Sequence, residues 1–152
     1  MNAIEWRYLA FDQLNVRQIY AMLQLRCEVF VVEQACIFQD LDGADAQAMH
    51  LLGSLPSGLV AYARCFQAGI KFPEASIGRV VIRAAARGSG AGHATMKKAI
   101  DCLQQAWGAQ AIRIGAQSHL AAFYHQHGFE KSGPVYQEDG IDHIEMLRLS
   151  HF

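Results

Sequence analysis

The sequence predicts one domain of the α/β (α+β) class, residues 1–152, in which a mixed β-sheet is flanked by helices. Three observations lead there. Its 152 residues suffice for one hydrophobic core and are too few for a second domain of ordinary length. With 52% hydrophobic and 18% charged residues, the chain lies far from the compositions that stay disordered. Short β-branched and aromatic runs are interspersed with two long stretches of helical periodicity, and strands outnumber helices.

Ile4 to Phe11 alternates apolar and polar residues and suits a first strand. From Asn15, the residues Val16, Ile19, Tyr20, Leu23, Cys27 and Phe30 follow helical spacing, which predicts one long amphipathic helix. Glu33 to Ala48 carries Asp40, Asp42, Gly43 and Asp45 and reads as a solvated loop or a substrate-side rim. It lacks the ligand spacing and the downstream Glu of a calcium loop. Met49–Leu55 and Leu59–Phe66 flank Pro56-Ser57-Gly58, a hairpin signal, and Ser76–Ile82 is a fourth strand. Met96, Ala99, Ile100, Leu103 and Trp107 mark a second long helix that stops at Gly108. Ala111–Ala116 is a short strand, Leu120–His127 a short helix ended by Gly128, and Ile144–Leu149 a last apolar run.

The net charge of −1 excludes the bulk electrostatic footprint of a nucleic-acid or anionic-membrane binder. No run of 18 apolar residues and no signal peptide is visible, so a cytoplasmic protein with no membrane partner is expected. Cys27, Cys36, Cys65 and Cys102 show no zinc-type spacing and read as reduced, mostly buried thiols. His125 and His127 point in different directions on a helix and make a poor chelate, so no metal is expected.

The stretch Arg87-Gly88-Ser89-Gly90-Ala91-Gly92 lies between a strand and a helix. Backbone N–H groups and the positive end of the helix dipole converge there, a ready site for a pyrophosphate, although glycines before a helix also serve a tight turn alone. A Walker A loop is excluded because the first lysine, Lys97, lies well inside the helix. A dinucleotide fingerprint fails as well, since its third small residue falls on His93 or Thr95.

Arg87, Gly90 and Gly92 do fit the Arg/Gln-x-x-Gly-x-Gly/Ala signature of the GNAT N-acetyltransferase superfamily. Downstream, Phe123-Tyr124-His125-Gln126-His127-Gly128-Phe129 resembles the aromatic segment of the same superfamily. The chain is further similar to ElaA-type members from about Leu25 nearly to its end, through Leu25–Gln34, Ala61–Arg64, Ile77–Val80, Gly115–Gln117 and Glu138–Ile141. The resemblance implies a strongly twisted mixed sheet whose fourth and fifth strands splay apart, with the pantetheine of acetyl-CoA in the gap. It also implies backbone contacts to the thioester and pantetheine from Val80, Val81 and Ile82, and a pyrophosphate held by Arg87 and the N–H groups of Gly88, Ser89, Gly90, Ala91 and Gly92. Gln117 and Tyr124 complete the cofactor contacts.

The implied reaction moves an acetyl group from acetyl-CoA to a primary amine by direct attack, with no covalent enzyme intermediate. A phenol of ordinary pKa near 10 stays protonated at neutral pH, which makes Tyr124 the candidate general acid. Glu33 is the first candidate for general base, ahead of Asp42, His50, Glu138 and His143. Cys27 and Cys102, in apolar helix stripes, are not assigned as nucleophiles. Two other readings compete: an acyl-homoserine-lactone-synthase-like acyltransferase, suggested by Arg26–Phe30, and a non-catalytic acyl-CoA-binding domain. Homodimerisation is compatible with the sequence.

Overall fold

Alternation of side chains along the central strands decides which helix covers which face. In a computed structural model, which describes residues 3–150, Leu51 and Ala63 point into one cluster with Ile77, Met96, Leu103, Ile112, Phe129 and Met146. Their neighbours Leu52 and Tyr62 point into another with Met22, Leu25, Val29 and Val81. The two long helices therefore lie on opposite faces of one sheet. Its strands are β1 (Glu5–Ala10), β2 (Met49–Leu55), β3 (Gly58–Phe66), β4 (Ala75–Ile82), β5 (Ile112–Gln117), β6 (Glu130–Glu138) and β7 (Ile141–Arg148), in the order β1-β2-β3-β4-β5-β7-β6.

Helix α1 (Val16–Arg26) starts on a reciprocal cap: Asn15 Oδ1 accepts from the Gln18 N–H at 2.8 Å and Gln18 Oε1 accepts from the Asn15 N–H at 2.9 Å, an arrangement worth about 1 kcal/mol. The predicted single helix does not continue as an α-helix. From Cys27 to Glu33 it widens into a π-helix, and the change of period rotates the apolar stripe. Cys27 becomes exposed and Val32 reaches 70% exposure. Tyr20, placed in the stripe by spacing, is also exposed.

Helix α2 (Ala91–Trp107) follows the predicted pattern and buries Met96, Ala99, Ile100 and Leu103. Helix α3 (Ala121–His125) is shorter than its predicted span. β6 was not visible as an apolar run because it is an edge strand with mostly exposed side chains. Gly133, Pro134 and a register shift between Lys131 and Val135 interrupt its ladder, features that guard an open edge against further pairing.

Part of the acidic loop is a rim, since Cys36, Phe38, Gln39 and Asp40 line the cleft between β4 and β5, but its aspartates are paired rather than left to solvent. Arg26, fully buried, donates from Nε to Asp40 and from Nη1 to Asp45, both at 2.8 Å. Arg64, also buried, donates to the same Asp45 oxygen at 2.9 Å and to both oxygens of Asp42. The loop is thereby fastened to α1 and β3 through desolvated charge.

The expectation of mostly buried thiols also needs correction. Cys65 alone is fully buried, Cys36 and Cys102 are half-buried and Cys27 is open to solvent. Burial pushes the Cys65 thiol up to about 12, so the reactive thiolate is scarce there. A thiol reagent is expected to modify Cys27 first in the native protein and Cys65 only on unfolding, which mass spectrometry of a labelling time course will read.

Candidate active site

Strands β4 and β5 run parallel yet pair only at Ala75–Ile112 and Ser76–Arg113. Beyond Ser76 they separate. A register shift against β3 inserts one extra residue into β4 near Arg79, whose φ is +49°, and such bulges bend a strand out of its ladder. The edge of β4 facing β5 thus has no strand partner from Ile77 to Ile82. A cavity of about 440 Å³ opens there, lined by Val80, Val81 and Ile82 on one wall and Ile114, Gly115 and Gln117 on the other.

At one end of this cleft lies the turn into α2. Gly88 and Gly90 have φ of +83° and +82°, in the left-handed region that L side chains disfavour. Gly92 lacks a Cβ for a different reason, since one would stand 3.4 Å from the Phe123 ring. The first intrahelical bond is donated by Ala94 to the Gly90 carbonyl, leaving the N–H groups of Ala91, Gly92 and His93 without helical partners at the positive end of the dipole. The Ser89 hydroxyl is occupied by the Ala86 carbonyl at 2.7 Å.

Arg87 donates from Nε to the Ile82 carbonyl at 3.0 Å, and its Nη1 and Nη2 hold the two oxygens of Glu33 at 2.7 and 3.1 Å. Glu33 lines the cleft, but its carboxylate is engaged by that arginine. The π-helix carries it there, together with Phe30 and Val31, and is followed directly by Gln34, whose side-chain amide exchanges hydrogen bonds with that of Gln117 at 3.4 and 3.3 Å.

Tyr124 lines the cleft from α3. Its ring packs edge-on against Phe123 and Phe129, and burial pushes its phenol up to about 12. The hydroxyl is thereby kept protonated across the physiological range.

The remaining acid–base candidates divide. His50 is fully buried between the Tyr62 hydroxyl and the Asp45 carbonyl, and burial, which disfavours the charged ring, lowers its pKa. Asp42 is taken up by Arg64. Neither lines the cleft; both serve the buried ion network. Glu138 and His143 do line it, with Asp139 and Ile141. Among the described residues no group of three or more His, Cys, Asp or Glu side chains is arranged to hold a metal ion, and no helix is long and apolar enough to cross a membrane.

The family model of the acetyltransferase (GNAT) domain matches residues 27–149, a span that includes the splayed strand pair and the glycine turn into α2. The chain belongs to the GNAT acetyltransferase family. Within it, the sequence is 44% identical to protein ElaA of Escherichia coli (strain K12) over 147 residues, which cover 95% of this chain and 96% of that protein. The crystal structure of Escherichia coli ElaA superimposes with a TM-score of 0.89 over 95% of this chain and 99% of that one. An acyl-CoA N-acyltransferase from Pseudomonas aeruginosa, 39% identical, gives a TM-score of 0.91 over 96% and 99% of the two chains. The AHL synthase LasI, at 14% identity and a TM-score of 0.74 over 98% and 91%, shares the fold alone. The GNAT assignment makes the protein an acyltransferase and accounts for the twisted mixed sheet of seven strands.

Proposed function

We propose that this GNAT domain transfers an acetyl group from acetyl-CoA to a primary amine by direct attack. The observation that carries the reading is the unpartnered edge of β4 between Ile77 and Ile82, opposite β5 and leading to the N-terminus of α2. The amides of a pantetheine arm fit that edge as a strand would, with Val80, Val81 and Ile82 contributing backbone groups. The donors of Gly88, Ser89, Gly90, Ala91 and Gly92 suit a pyrophosphate. Arg87 and Gln117 flank it. One β4 N–H aimed at the thioester carbonyl would stabilise the oxyanion that develops during attack.

Tyr124 is the proposed acid. As the C–S bond breaks, its phenol donates a proton to the departing thiolate. With the hydroxyl buried beside the cleft, Tyr124→Phe is expected to lower kcat by about 100-fold, the low end of general acid catalysis, while the calorimetric Kd for acetyl-CoA stays within about twofold. Unchanged turnover would remove Tyr124 from the chemistry.

Glu33, engaged by Arg87, serves better in this reading to hold that arginine beside the α2 turn than to take the acceptor's proton. The reaction itself is tested by free-thiol release from acetyl-CoA across a panel of amines. Thiol release without an acylated amine, or tight binding without turnover, would favour instead a hydrolase or a non-catalytic acyl-CoA-binding domain.

A further inference from the structure

The cleft lining holds a pair of groups, Glu138 and His143, that the reaction above leaves unused. His143 on β7 and Gln117 on β5 stand opposite each other in register, as do His143 and Tyr136 on β6, so their side chains share one face of the sheet. His143 is 7% exposed and its Nδ1 lies 2.8 Å from the Ile141 carbonyl oxygen. A carbonyl only accepts, so Nδ1 carries the hydrogen, and in the neutral ring Nε2 bears the lone pair. That nitrogen lies 3.5 Å from Glu138 Oε2, close enough for one proton donor approaching from the side to contact both acceptors.

Charge along the cleft points the same way. Glu33 is neutralised by Arg87 and Asp40 by Arg26 and Arg79, whereas Glu138 and Asp139 have no arginine or lysine partner among the described residues. Among the lining carboxylates, negative charge without an arginine or lysine partner is confined to Glu138 and Asp139. Phe30, Phe38 and Ile141 line the same cavity with apolar surface. The segment bearing Phe38 is drawn over the site by the Cys36 thiol, which donates to the Asp139 carbonyl at 3.2 Å.

Building on the amine-acetylation reading, we infer that His143 is the general base, that Glu138 anchors the acceptor as a cation, and that the acceptor is a primary ammonium on an apolar stem. The ammonium donates to Glu138 and to His143 Nε2. One N–H bond breaks, its proton passes to Nε2 and its electron pair stays on the amine nitrogen. The imidazolium so formed is stabilised by Glu138. The neutral amine then forms the C–N bond as the C–S bond breaks; Tyr124 protonates the thiolate and regains a proton from the same nitrogen. The ammonium's three hydrogens are thus accounted for: one on His143 and then solvent, one on the thiol and one on the amide.

The test uses two nearly isosteric acceptors, 2-phenylethylamine, a cation at neutral pH, and O-benzylhydroxylamine, which is neutral there and needs no initial deprotonation. His143→Asn is expected to lower kcat/KM for 2-phenylethylamine by about 100-fold and for O-benzylhydroxylamine by less than about fivefold, with the Kd for acetyl-CoA unchanged. Glu138→Gln is expected to raise KM about tenfold for the cation only. Equal losses on both acceptors assign His143 to the shape of the site and overturn the base role, as does an undiminished variant. Spermidine preferred over 2-phenylethylamine by the wild type overturns the apolar stem. A wild type that binds acetyl-CoA yet acetylates no amine overturns the parent reading, an outcome distinct from an active wild type with an indifferent His143→Asn.

Discussion

Gly90→Asp is expected to weaken acetyl-CoA binding by about 300-fold, equivalent to roughly 3.4 kcal/mol, and to leave the protein folded. Two effects add at this position. With φ at +82°, any side chain puts about 1 kcal/mol of strain into the turn, less for Asp than for a β-branched residue. The new carboxylate also stands where N–H donors and the helix dipole converge, so it would compete for Ala91, Gly92 and His93 and repel a pyrophosphate. Beyond the adjoining residues no heavy atom lies within 4 Å of the added Cβ, so the fold has no tertiary clash to relieve. Calorimetry with acetyl-CoA beside a thermal melt separates loss of binding from loss of structure. Equal affinity in variant and wild type would place the cofactor elsewhere.

Asp45→Ala is expected to cost about 3 kcal/mol of folding stability, the lower end of the range for breaking a buried ion pair. One oxygen of Asp45 accepts from both Arg26 and Arg64, and removing it leaves two buried guanidinium groups short of a partner, although Asp40 and Asp42 still hold them. Asp45→Asn keeps an oxygen in place and should cost less. Urea unfolding of the three proteins gives the order directly. Equal stability of Asp45→Ala and wild type would make the network ornamental.

The same network sets a pH response. The guanidinium of Arg64 holds Asp42 far below the usual carboxylate range. For Asp45, burial pulls upward, but hydrogen bonds and charge from Arg26 and Arg64 outweigh it and the net shift is downward. A carboxylate with a depressed folded pKa contributes stability in full above its unfolded value of about 3.9, and loses it as pH falls from there toward the folded value. Unfolding free energy is therefore expected to drop below about pH 4, with a shallower drop in Asp45→Asn.

Sequence made the helices and central strands legible because burial imposes period there: Met96, Ala99, Ile100 and Leu103 repeat as a helix stripe and are buried as one. It failed where tertiary contacts override period. Nothing local in Cys27–Glu33 announces a π-helix, yet that widening delivers Phe30 and Val31 to the cleft. Asp42 and Asp45 looked like solvent-facing acids because their partners, Arg26 and Arg64, lie on distant segments. β6 lacks apolar alternation, but Asp139-Gly140 at its end, with φ of +53° and +75°, is the Asp-Gly pair that favours a two-residue hairpin turn. That pair is the local signal for the hairpin which brings Glu138 and His143 to one site. The glycine turn was legible for the opposite reason, since its backbone conformation demands particular residues at particular spacing.

The seam between β4 and β5 has a mechanical meaning. Two residue pairs join the halves of the sheet, while the side-chain layer beneath runs unbroken from Leu51 through Ile77 and Ile114 to Met146. The width of the cleft is therefore governed by the volume of packed side chains and hardly by backbone hydrogen bonds. Interior residues that line no part of the cleft act as shims: exchanging Met96 or Ile112 for a smaller or larger residue would narrow or widen the slot, tuning which acyl chains it admits without altering any group that does chemistry.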